Sequence, residues 1–203
     1  MVPPGAGDGA GDYEWLGELP LGAAFCFAFV RGVDEAEVLR RFGADPDSAR
    51  PMTLDEIDRA QQDAQPDALL LAAVTKVGDW VVVVEPNGFQ STLDEVLSAV
   101  SAGGEVLSVY RNLDAVGQIS HAVDGRLRTA FDQLVPYLRW GGLPDALLPV
   151  MLAVGLDPDG GTPPDPDGAA LALAERVTGI RLTPETLSGA LPTVVLSAVE
   201  DSG

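Results

Sequence analysis

The chain has 203 residues, 46% of them hydrophobic, which suffices for one domain with a true core. Twelve Lys+Arg stand against 31 Asp+Glu, a formal charge of −19 that repels both phosphodiester backbones and anionic lipid. Nucleic acid and membrane surfaces are therefore excluded as partners, and no apolar run reaches the roughly 18 residues a membrane span needs. One cysteine, Cys26, forbids an intrachain disulfide, and one histidine beside it is too few for a closed zinc site. The expected compartment is the cytoplasm.

Residues 1–11 are a tail by composition, rich in Gly and Pro. Asp12 is an N-cap candidate for a short helix over 13–19. Residues 24–31 (AFCFAFVR) predict an interior strand, with Phe25, Phe27 and Phe29 on one face and Cys26, Ala28 and Val30 on the other. Asp34 caps a helix ending at Phe42-Gly43. Residues 44–52 read as a loop, and Thr53 with Glu56 forms a capping box for a helix to about residue 65.

Residues 68–76 and 80–85 predict a hairpin about Val77-Gly78-Asp79. The second arm, Trp80 and four valines, is apolar on both faces and belongs in the middle of a sheet. It ends at Pro86-Asn87-Gly88. Thr92 and Glu95 suggest another capping box, for a helix over 92–102. Residues 105–111 form a strand, and 116–123 with 126–131 form the clearest hairpin, around Asp124-Gly125.

Beyond that the chain turns helical. Pro144 is placed at the first position of a helix over 144–154, an acidic Pro/Gly loop covers 158–167, and helices follow over 169–178 and 183–188. Residues 191–199 fit strand or helix equally well. Arg139-Trp140-Gly141-Gly142 reads as a core tryptophan closing the sheet in preference to an exposed anchor. The expected architecture is α+β: a mostly antiparallel sheet of about five to six strands flanked by helices. A core domain spans 12–157, and a helical extension, 168–203, packs on it.

Chemistry is sparse. Asp157 and Asp159 have D-x-D spacing, but the rest of a calcium loop is missing, and neither metal nor cofactor is implied. Glu85, Asn87 and Gln90 lie where the central strand meets a helix start, with Arg111 and Asn112 ending the next strand; together they could edge a pocket. A two-residue turn at Asp124-Gly125 sets His121 opposite Arg128, with Arg126 on the same face, an arrangement that disfavours the imidazolium. Arg111, Arg126 and Arg128 against Asp114 and Asp124 make the stretch 106–131 locally positive by one charge. Such a patch suits an anion, or pairs with the protein's own carboxylates.

The stretches DYEWL (12–16), FVRGVDEAEVLRRFGAD (29–45), WVVVVEPNGFQ (80–90), SVYRNLDAVGQISHAVDGRLRTAFD (108–132), RWG (139–141) and PDALLPVMLAVGLD (144–157) resemble an actinobacterial family, one of the domains of unknown function. The resemblance implies a single cytosolic domain and carries no catalytic residues. The function expected is a non-catalytic protein-binding module, in one version an immunity- or antitoxin-like neutraliser of a basic partner, or a homodimer through an open sheet edge. The alternative is a small-molecule (anion) binder or enzyme at the end of strand 80–85.

Overall fold

A computed structural model describes residues 9–21, 24–64, 69–114 and 116–196. Their centre is a nine-stranded, wholly antiparallel sheet: β1 (Phe25–Arg31), β2 (Arg50–Met52), β3 (Leu70–Val77), β4 (Trp80–Pro86), β5 (Glu105–Arg111), β6 (Gly117–Val123), β7 (Arg126–Phe131), β8 (Arg139–Trp140) and β9 (Leu191–Leu196). Across the sheet the order is β2-β9-β3-β4-β1-β5-β6-β7-β8. Every residue of β4 is buried, as a β-branched strand apolar on both faces requires.

Alternation along the strands divides the core in two. On one face Phe25, Phe27, Phe29, Val82, Val84, Leu107, Ile119 and Phe131 pack under α2 (Leu54–Asp63), α4 (Leu148–Ala153) and α5 (Pro166–Thr178). Each fully buried phenylalanine there is worth roughly 1.5–3 kcal/mol of transfer free energy. On the other face Ala28, Val30, Val81, Val83, Val106 and Ala122 meet Val38 and Leu39 of α1 (Glu35–Arg41) and Val96, Leu97 and Val100 of α3 (Asp94–Ser101). A long 3-10 segment, Ala10–Glu18, lies against α5, and buried Tyr13 donates its hydroxyl to Glu175 Oε2 at 2.9 Å.

The α+β class stands, with corrections. Nine strands replace the expected five to six, because β2, β8 and β9 carry little periodic signal. Two of them are edge strands of three and two residues, and β2 contains Pro51. The C-terminal part is helical only through α5 and the 3-10 turn Pro184–Leu187. Leu191–Leu196 then returns as a strand between β2 and β3, its hydrogen-bonding partners supplied by chain over a hundred residues away. The N-terminal helix is 3-10. Pro144 does not open a helix; its carbonyl instead accepts from Thr129 Oγ1 at 2.5 Å, and Pro149 stands in the first turn of α4. Of the tail expected over 1–11, Ala10 and Gly11 belong instead to the 3-10 segment, and residues 1–8, the ends near residues 65 and 68, and the final residues 197–203 lie outside the described residues.

Candidate functional site

The end of β4 folds as a closed turn. Asn87 takes a left-handed conformation (φ 54°), and Gly88 passes so close that a Cβ there would lie 2.5 Å from Glu85 Cβ. The chain therefore doubles back into a short 3-10 turn, Gln90–Thr92, whose amides face the Glu85 carboxylate. Glu85 Oε2 accepts from Gln90 N at 2.8 Å; Oε1 accepts from Ser91 N at 3.0 Å and from the Ser91 hydroxyl. Glu85, Gln90 and Ser91 are all buried. Burial pushes the Glu85 carboxyl up to about 7, although its three donors pull the other way. The expected Thr92/Glu95 box does not form: Thr92 Oγ1 donates to Phe89 O at 2.8 Å, and α3 starts two residues later without a side-chain cap.

Around this carboxylate the sheet supplies Cys26, directly opposite on β1, and Tyr110, opposite Cys26 on β5. Burial holds both the thiol and the phenol above their ordinary values. Asn87 Nδ2 donates to Gln61 Oε1 at 3.3 Å and Gln61 Nε2 donates to Pro86 O at 2.8 Å, tying the turn to α2.

Glu85, Asn87 and Gln90 are thus brought together, but Arg111 and Asn112 are not. Arg111 pairs across the sheet with Phe25, one residue out of step with Cys26, and so faces the opposite side. Its guanidinium meets Asp167 in the first turn of α5 at 3.0 Å. Asn112 closes its own turn, its Oδ1 accepting from Asp114 N at 3.0 Å and Val116 N at 2.8 Å. Strand ends had suggested a common edge; strand parity separates the two groups.

The β6–β7 hairpin turns at Asp124-Gly125 with both residues at positive φ, as that dipeptide predicts. A β-bulge then shifts the register, so His121 faces Thr129 and Arg128 is the extra residue. The group at His121 is a carboxylate, not an arginine: Nε2 lies 2.8 Å from Glu105 Oε1, while Glu105 Oε2 meets Arg31 at 2.5 Å. Arg31 in turn lies over the Trp80 ring at 5.0 Å. His121 Nδ1 and Arg128 Nε are buried without hydrogen-bond partners among the described residues, and Arg126 is exposed.

Beyond the bulge lies the segment in which the sequence favours a core tryptophan over an exposed anchor, and there the structure differs. Gly141 (φ 115°) runs against β7, where a Cβ would come within 2.5 Å of Arg128 O. Gly142 N and Leu143 N continue the contact, donating to Leu127 O at 3.1 Å and Arg128 O at 2.7 Å. The segment so fixed leaves Tyr137 60%, Leu138 57%, Trp140 45% and Leu143 52% exposed beside the outer strand β8. Trp140 is accordingly an exposed side chain and not the core tryptophan expected: β8 is the last strand, and none of the described residues covers it. The Arg-Trp-Gly-Gly run was the signal available, since its glycines force a turn that turns these residues outward.

Among the described residues no group of three or more His, Cys, Asp and Glu could hold a metal ion, and no helix is long and apolar enough to cross a membrane. Comparison with curated proteins and with solved structures gave no match. The model of one family, a family of unknown function designated DUF6461, matches residues 8–200. That match spans all nine strands and the described helices, and the chain belongs to this family.

Proposed function

We propose that the protein is a cytoplasmic, non-catalytic binding module that docks a basic protein partner on the β8 edge. The observation that carries the reading is the concentration of Tyr137, Leu138, Trp140 and Leu143, all about half exposed or more, within one turn-and-strand segment at the sheet's open end. Aromatic anchors of this kind dominate protein interfaces, and an uncovered edge strand offers backbone groups beside them. Charge supports a basic partner. Of the suggested arginine patch, Arg111 is paired with Asp167, and Arg139 beside the edge segment is paired with Asp145, so the −19 of the whole chain governs approach.

The test is affinity capture from the native host with wild type and Trp140→Ala in parallel. Support requires a basic protein held by wild type, lost by the variant, and associating more slowly as salt rises. Equal capture by both proteins, or an acidic partner, rejects the reading.

A second reading, an anion site on the adjoining strands β6 and β7, draws on His121 Nδ1 and Arg128 Nε, which have no hydrogen-bond partner among the described residues, with exposed Arg126 on β7. Calorimetric titration with sulfate and with a dicarboxylate tests it; heat that survives Arg128→Ala would reject that site.

A further inference from the structure

We propose that the partner docks as an extended segment that adds a tenth strand to the sheet along residues 139–143, its apolar side chains alternating with basic ones. This mode presupposes docking at the β8 edge, the reading above, and adds the form and chemistry of the docked element. The two sheet edges differ. β2, at one end, has Pro51 in the middle of its three residues and no amide to donate there. At the other end the chain follows β7 beyond β8 itself: Arg139 pairs with Phe131 and Trp140 with Ala130, then Gly142 N and Leu143 N donate to Leu127 O and Arg128 O. This stretch contains no proline and is held from one side, with no further strand beside it among the described residues. Successive residues of an antiparallel ladder turn their amide and carbonyl alternately toward and away from the neighbour. The edge therefore keeps backbone groups for another strand.

The two faces of this edge differ in chemistry, and pairing carries the difference to the incoming chain. Arg139 shares the face of Phe131, and Trp140 takes the other, where its exposed ring meets an apolar side chain across the strands. Arg139 Nε and Nη2 both donate to Asp145 Oδ1, at 2.9 and 2.6 Å. The Asp145 side chain is 68% exposed, and its Oδ2, without a partner among the described residues, is open to an incoming Lys or Arg. Charge around the edge has one sign. From residue 132 to 167 six aspartates stand against one arginine, Arg139 itself. Thr162 ties the acidic loop to the turn leading into β8, its hydroxyl donating to Leu134 O at 3.2 Å. A basic strand is attracted there, and an acidic one is repelled.

The probe is a ten-residue peptide of alternating valine and lysine with blocked ends, titrated into the full chain and followed by amide hydrogen exchange. Saturable binding is expected, with protection gained at residues 139–143 and affinity falling as salt rises. Two control peptides separate a paired strand from loose attraction between opposite charges. One has the same composition in Val-Val-Lys-Lys order, and the other has proline for two central valines. Each should bind about tenfold more weakly, having lost the alternation or two ladder bonds. Asp145→Asn should weaken the alternating peptide about two- to fivefold. Equal binding of the reordered peptide, or binding without protection at 139–143, overturns the proposal. Failure of the alternating peptide to bind also overturns it; docking at β8 then still stands if Trp140→Ala loses the natural partner. Capture of that partner undiminished by Trp140→Ala removes both.

Discussion

Glu85 of β4 and Cys26 of β1 stand directly opposite one another, and both are completely buried. An acid in such a position makes stability respond to pH in the reverse of the usual sense. Its folded value, about 7, lies above the ordinary 4.5. The stabilisation is therefore fully present below about 4.5 and is lost as pH rises through 7, on the order of 3 kcal/mol in all. Urea unfolding at pH 5 and pH 8 should show the higher midpoint at pH 5, and Glu85→Gln should lose most of that difference.

Gly141→Ala should destabilise the fold by about 1–3 kcal/mol, because the residue sits at φ 115° and the added methyl meets the Arg128 carbonyl. The denaturation midpoint reports it. A change below a few tenths of a kcal/mol would mean that the 141–143 segment is not held against β7 as described.

Trp140→Ala should leave stability within about 0.5 kcal/mol, since the ring is half exposed on an edge strand, while abolishing capture of the partner. A large loss of stability would show instead that the ring belongs to the core. Thermal unfolding of the purified variant separates the two.

Thr53→Ala removes one half of a complete capping box: Glu56 N donates to Thr53 Oγ1 at 3.2 Å, and Thr53 N donates to Glu56 Oε2 at 2.8 Å. A loss of roughly 1 kcal/mol is expected in urea titration, with Thr53→Ser restoring most of it.

Local chemistry determined much of this protein by sequence alone. Four valines after Trp80 can hardly be other than an interior strand, Asp124-Gly125 adopts its hairpin turn, and Thr53 with Glu56 starts a helix, because each signal is complete within a few residues. Tertiary structure alone decided what depends on a distant partner. Leu191–Leu196 became a strand because β2 and β3 offered it hydrogen bonds, and one bulge at Arg128 gave His121 the threonine opposite. Parity across β1 put Arg111 and Glu85 on opposite faces, although both lie at strand ends. Trp140 stayed outside because none of the described elements covers the last strand; the Arg-Trp-Gly-Gly run fits an exposed anchor and a core tryptophan alike, and only the position of β8 in the sheet decides between them.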